Sequence, residues 1–220
     1  MNQIIFENPQ NLAVAAAQSF QELAQAAIEA RGRFNLALAG GSTPKIIYEK
    51  LVKLPLPWQK IHLFWGDERL VTHDNPNSNY LMIQEALLKK ISIPPENVHC
   101  IQTELEPDAA LSAYQTELEG IQFDLIHLGL GTDGHTASLF PATDLETTLS
   151  AQITFPTAGL EPQVQRISLS LQTINTALVK QFFVTGSSKK SILEEIRIGV
   201  DYPAARVQNA AWWLDQAATY

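Results

Sequence analysis

FDLIHLGLGTDGHTASLF, residues 123–140, sets an apolar run, Phe123–Leu128, directly against Gly129-x-Gly131-x-x-Gly134. A short apolar run bounded by glycines is the pattern of a strand buried on both faces, as in a parallel sheet. The glycine spacing also matches the fingerprint of a dinucleotide-binding turn. Two features argue against that match. Such a fingerprint is followed about 20 residues on by an acidic residue ending the next strand; here the region is ETTLSAQITFPT, and its candidate strand, QITF, ends without one. Asp133 would also set a carboxylate against the pyrophosphate, a repulsive contact. The alternative is a tight turn that presents Asp133 and His135 at the edge of the sheet. Histidine is the natural general base near neutral pH, and a neighbouring carboxylate fixes its tautomer. A capping Asp and a packed His would be the plainer explanation, but two glycines at a ligand-binding edge favour catalysis.

Working outward, the same strand-then-helix rhythm repeats. Residues 11–31, rich in helix formers and closed by Gly32, predict a helix. FNLALA (34–39) predicts a strand and TPKIIYEKLVKL (43–54) a helix with Pro44 in its first turn. IHLFW (61–65), VHCI (98–101), the run 123–130 and FFVTG (182–186) predict strands, as does AWWL (211–214). Helices are expected over 77–91, 107–120 and 188–197, with another opening near Gly134. RISLSL (166–171) alternates and predicts a half-exposed strand. Alternating strands and helices imply an α/β fold: a mostly parallel sheet with helices on both faces. The polar stretch 141–165 reads as either a flexible excursion or a small β insertion.

With 15 Lys and Arg against 23 Asp and Glu, the formal charge is −8, which argues against a nucleic-acid-binding face. An anionic small molecule needs only a local cluster of donors. Cys100 is the only cysteine, so neither an intrachain disulfide nor a Cys-based zinc site is expected. No signal-peptide pattern or membrane-length apolar run is found, and a cytoplasmic location follows as the default.

Several segments at strand ends carry chemistry. Gly40-Gly41-Ser42-Thr43-Pro44 joins a strand to a helix; its glycines let backbone approach a ligand, and the helix start favours an anion such as phosphate. Ser42 or Thr43 as a simple N-cap is the competing reading. Gly66-Asp67-Glu68-Arg69 sets three charges where open α/β sheets bind ligands, unless they form a solvated loop. In Thr185-Gly186-Ser187-Ser188-Lys189-Lys190, a lysine near a helix start opposes the dipole unless an anion sits there. Arg166, heading a strand, is a further cation of this kind. A parallel sheet brings such loops to one edge, a set suited to hydrolysis or isomerisation of a phosphorylated small molecule.

GGSTP (40–44), GDER (66–69), NSNY (77–80), LGLGTDGHTASLFP (128–141), RISLSL (166–171), TGSSK (185–189) and PAARV (203–207) resemble, in this order, the glucosamine-6-phosphate isomerase/6-phosphogluconolactonase family. The continuation ASLFP favours its lactonase branch. The resemblance implies a Rossmann-like sheet forming one domain over 1–220. It implies hydrolysis of 6-phospho-D-glucono-1,5-lactone to 6-phosphogluconate in the oxidative pentose phosphate pathway. No cofactor or metal is implied, and the expected partner is the sugar-phosphate lactone, for a chain that is a monomer or weak homo-oligomer. His135 is the implied base on water, oriented by Asp133, with Arg69 stabilising the oxyanion. Gly40, Gly41, Ser42 and Thr43 would hold the phosphate with Lys189 and Arg166, while Asp67 and Gly134 complete the substrate-binding set. Other readings are an amino-sugar phosphate isomerase/deaminase, a non-catalytic sugar-phosphate sensor and a dinucleotide-dependent oxidoreductase.

Overall fold

The computed structural model describes residues 1–219. Seven strands build the main sheet: β1 (Asn2–Phe6), β2 (Phe34–Leu38), β3 (Ile61–Trp65), β5 (Val98–His99), β6 (Leu125–Leu128), β9 (Val179–Val184) and β10 (Ala211–Asp215). Their order is β1-β10-β9-β6-β2-β3-β5, and every neighbouring pair is parallel. Every residue of β2 and β6 is buried, including the polar Asn35 and His127.

Side chains one position apart point to opposite faces of a strand. Phe183 and Trp213 pack with Leu12, Ala13 and Ala16 of helix α1 (Pro9–Arg31) and Ile47 of helix α2 (Ser42–Leu51). Their neighbours Phe182 and Trp212 stack at 3.9 Å on the other face, within a cluster that holds Ile192 and Leu193 of helix α6 (Lys190–Arg197). Both faces of the sheet are therefore covered. Helix α1 begins two residues earlier than its composition suggests, because Asn8 caps it from outside and Pro9 supplies a fixed φ at its first turn. It ends where expected, with Gly32 left-handed at φ 79° and its N–H on Ile28 O.

A second, three-stranded antiparallel sheet lies in the order β4 (Asp67–Arg69), β8 (Arg166–Leu169), β7 (Ala151–Thr154). Of the two readings of 141–165, the β insertion describes 151–154. The GDER segment is the third strand of this sheet rather than a loop. The chain leaves the main sheet at Gly66, whose N–H bonds Leu38 O at 2.8 Å and whose carbonyl accepts from Leu169 N at 2.9 Å.

Three expectations need correction. No helix opens near Gly134; residues 131–142 form successive turns, with an isolated bridge from Thr136 to Leu139 and Ala137 at φ 47°. Contacts with distant strands hold that path, including Ser138 Oγ donating to Asp67 Oδ2 at 2.5 Å and Ser138 N donating to Ser168 Oγ at 3.2 Å. Strand β8 stops at Leu169 and is wholly buried rather than half-exposed. Its alternation is real, but the polar side chains turn inward: Arg166 lines the cleft, and Ser168 is fully buried and accepts from Ser138 N. VHCI contributes only Val98 and His99 to the sheet. Among the described residues no helix is long and apolar enough to cross a membrane.

Candidate active site

Strand order reverses between β2 and β6: the chain proceeds from β2 outward to β3, and from β6 outward to β9. Ligand crevices in open α/β sheets form at such a switch point, outside the carboxyl ends of the strands. The loops after β2, β3, β6 and β9 emerge there and, with β4 and β8, enclose a cleft of about 340 Å³. Gly40, Gly41, Ser42, Thr43, Asp67, Arg69, His135, Arg166 and Lys189 all line it. Asp133 and Gly134 stand behind the lining and shape the turn that carries His135.

The glycine run has a steric explanation in that turn. A Cβ on Gly131 would lie 2.1 Å from His135 Nδ1 and 2.6 Å from Asp133 Oδ1, so only hydrogen leaves room for the pair. Gly134 adopts φ 82°, and a Cβ there would strike the Tyr202 ring at 2.3 Å. Gly131 N donates to His135 O at 2.8 Å and Gly134 N to Gly131 O at 3.2 Å, which closes the turn. His135 Nδ1 lies 2.5 Å from Asp133 Oδ1, and Thr157 Oγ1 donates to the other carboxylate oxygen at 2.7 Å. Burial pushes the Asp133 carboxyl up, but the hydrogen bonds from His135 and Thr157 outweigh it and hold it well below the usual carboxylate range. The carboxylate stays charged and engages Nδ1, so Nε2 is the ring nitrogen outside the pair. The Phe140 ring, 4.7 Å from the imidazole, braces it from the side.

The β2–α2 loop leaves the start of α2 open toward the cleft. Gly41 stands at the N-cap with φ 104°, and no side chain caps the helix. The competing reading, in which Ser42 or Thr43 caps it, therefore fails. The Thr43 hydroxyl shares a 2.7 Å hydrogen bond with Thr185 Oγ1 and so ties this loop to the one carrying Lys189. Gly40 is required by Asn79, whose Oδ1 would lie 2.0 Å from an added Cβ. Burial pushes the Lys189 ammonium below the usual lysine range, opposed by the Asp133 carboxylate. An anion beside Lys189 would favour its charged form further.

The small sheet supplies the other cations. Arg69 and Arg166 are direct cross-strand partners in the antiparallel register, where like charges repel. Burial, and then the charge of Arg69, push the Arg166 guanidinium down. Arg69 Nη1 is held by Asn77 O and Asn79 Oδ1, each at 2.8 Å; Arg166 lies over the Phe140 ring at 5.6 Å and donates to Pro162 O at 3.2 Å. The Nε of both is buried without a hydrogen-bond partner among the described residues. Two apposed, partly unpartnered guanidinium groups lining one cleft call for an anionic ligand.

Glu68, the middle charge of GDER, has a different role. It is buried and accepts from the backbone N–H of Arg69, Asn79 and Tyr80 and from Ser78 Oγ, which anchors the start of helix α3 (Asn79–Ala86). Asn79 then reaches back, donating Nδ2 to Asp67 O at 2.8 Å. Asn79, Phe140 and Thr157 were not among the residues singled out for the site. NSNY pointed at the first; nothing local in the sequence marks Phe140 or Thr157. Among the described residues no group of three or more His, Cys, Asp or Glu side chains is placed to hold a metal ion.

Comparison with known proteins shows the family. Residues 7–215 match the family model described as glucosamine-6-phosphate isomerases/6-phosphogluconolactonase. A 6-phosphogluconolactonase of Synechocystis sp. is 41% identical, over 87% of this chain and 86% of that protein. One from Haemophilus influenzae is 38% identical, over 99% and 98% respectively. The crystal structure of 6-phosphogluconolactonase from Thermotoga maritima superposes with a TM-score of 0.91 at 31% identity, covering 98% of this chain and 99% of that one.

Proposed function

The chain belongs to the glucosamine-6-phosphate isomerase/6-phosphogluconolactonase family, and on that premise we propose that it hydrolyses 6-phospho-D-glucono-1,5-lactone to 6-phosphogluconate. The observation that carries the reading is the His135–Asp133 pair opening onto the same cleft as the uncapped α2 start, Lys189 and the two arginines. A base and an anion site share one small cleft, as a phosphorylated ester needs.

The lactone's phosphate lies on Gly40–Thr43, with Lys189 and Arg166 as counter-charges. Binding energy at that end positions the carbonyl for attack. His135 Nε2 takes a proton from water as its oxygen adds to C1, and the resulting imidazolium is stabilised by Asp133. Negative charge on the former carbonyl oxygen is met by Arg69, held ready by Asn77 and Asn79. The C1–ring-oxygen bond then breaks, and the departing alkoxide takes the proton back from His135. A lactone is already an activated ester, so no covalent nucleophile is required.

The test is lactone hydrolysis by the purified chain measured against the spontaneous rate. His135→Ala is expected to lower the enzymatic rate by about 10²–10⁴-fold. A wild-type chain that gives no acceleration would refute the reaction. An undiminished His135→Ala variant would refute only the assigned base.

A further inference from the structure

The segment after β7, residues 155–165, reaches the cleft through Leu160 and the catalytic pair through Thr157. Leu160 joins the cleft lining beside Lys189. The segment is stitched to itself by Gln163, whose Nε2 donates to Thr157 O at 3.0 Å and Leu160 O at 2.6 Å. Arg166, at the segment's exit, donates to Pro162 O. The one side-chain hydrogen bond from this segment to the catalytic turn, among the described residues, is that from Thr157 Oγ1 to Asp133 Oδ2.

We propose that Thr157 is a positioning residue for the hydrolysis, the third member of a Thr157–Asp133–His135 relay, so that seating of segment 155–165 is a condition for an oriented base. The inference rests on the reading of His135 as that base. A carboxylate bonded through one oxygen can pivot about its Cβ–Cγ bond and carry the imidazole with it. Fixing the second oxygen removes that freedom. The groups facing Asp133 are His135 and Thr157 at hydrogen-bond distance, with Lys189 and Tyr202 acting on it, or it on them, through charge alone. Of these, only Thr157 pins Oδ2. It also belongs to the stretch that sets Leu160 in the cleft lining, so that part of the cleft wall and the alignment of the base are physically joined.

The experiment is a double-mutant cycle on the purified chain with the lactone as substrate. Thr157→Val removes the hydroxyl with little change in shape and is expected to lower kcat by about tenfold, the size of one lost hydrogen bond, with KM changed less than twofold. Thr157→Ser, which keeps the donor, is expected to restore most of the rate. In an Asp133→Ala background Thr157→Val should have no further effect, because its action runs through that carboxylate. A Thr157→Val variant with wild-type kcat overturns the proposal, as do effects of the two substitutions that multiply independently. A second readout does not depend on turnover: carboxyl-carbon NMR titration of Asp133 should lie below the usual carboxylate range in the wild type and move up in Thr157→Val. Without that movement the relay is refuted, whereas loss of lactonase activity in the wild type would refute the assigned reaction alone.

Discussion

Gly131→Ala isolates the steric role of the glycine run. The backbone at Gly131 is not in the left-handed region, so alanine is tolerated by the main chain. Its Cβ would stand 2.1 Å from His135 Nδ1, where ordinary contact begins at 3.4 Å. The ring must retreat by about 3.4 − 2.1 = 1.3 Å, and Asp133 Oδ1, 2.6 Å away, by about 0.8 Å. A misplacement near 1 Å in a reacting group lowers rates by about 100-fold, or about 2.7 kcal/mol of transition-state stabilisation. The His135 side chain is 25% exposed, so it can swing toward solvent without forcing the sheet apart. The fold should lose little more than the His135–Asp133 hydrogen bond, about 1 kcal/mol, or about 2–4 °C in Tm. Gly129→Ala is the contrast, since an added Cβ there meets nothing within 4 Å. Steady-state kinetics with a melting curve reads both. A Gly131→Ala chain with wild-type kcat/KM would refute the argument that Gly131 exists to seat the pair.

Arg166→Met removes one of the two apposed guanidinium groups while keeping an apolar stem against Phe140. KM should rise about 10- to 100-fold, as for loss of a charge-assisted hydrogen bond, with stability unchanged or improved; an unaltered KM would remove Arg166 from the site. His127 is fully buried on β6 with both ring nitrogens unpartnered among the described residues, and burial pushes its pKa down to about 3. The unfolded chain binds a proton near pH 6.5 that the folded chain refuses, so stability is lost as pH falls from about 6.5 toward 3. Between pH 8 and pH 5 this amounts to about 2 kcal/mol. In His127→Phe that part of the pH dependence should vanish from urea midpoints, and equal slopes in both proteins would contradict it.

The central strands of the main sheet were readable because they are largely buried, and runs such as FNLAL and IHLFW carry a single polar residue each, Asn35 and His62; the partly exposed β1 was not readable as a strand. Caps and stops were readable where the signal is local, as at Gly32. In the small sheet RISLSL and QITF were readable as strands but β4 was not, since it is three residues long and pairs with a strand about a hundred positions away. The same reason defeated the expected helix after Gly134: Ala137 at φ 47° is sustained by neighbours from Asp67 and Ser168, which no local pattern encodes. Within the site, charge and glycine spacing exposed the residues that would meet a ligand. They could not separate Arg69, which lines the cleft, from its neighbour Glu68, which anchors a helix. That division depends on which side of β4 each side chain takes, and β4 itself was unseen.

The pairing of β1 with β10 bears on how the chain is made. Asn2 stands in register with Ala211, partners separated by 209 positions, and β10 in turn bridges to β9. A ribosome delivering residues in order releases β1 long before its neighbour exists. Closing so long a loop is slow compared with local helix formation. Until then Ile4 and Ile5, 40% and 44% exposed even in the finished fold, stand uncovered on a short strand with nothing to pair with. Ala204 N, which holds Gly134 O at 3.1 Å, also arrives late. A nascent chain therefore completes both the edge of its main sheet and the support of the turn that carries His135 only near the end of synthesis, and retaining β10 should matter as much to soluble expression as to activity.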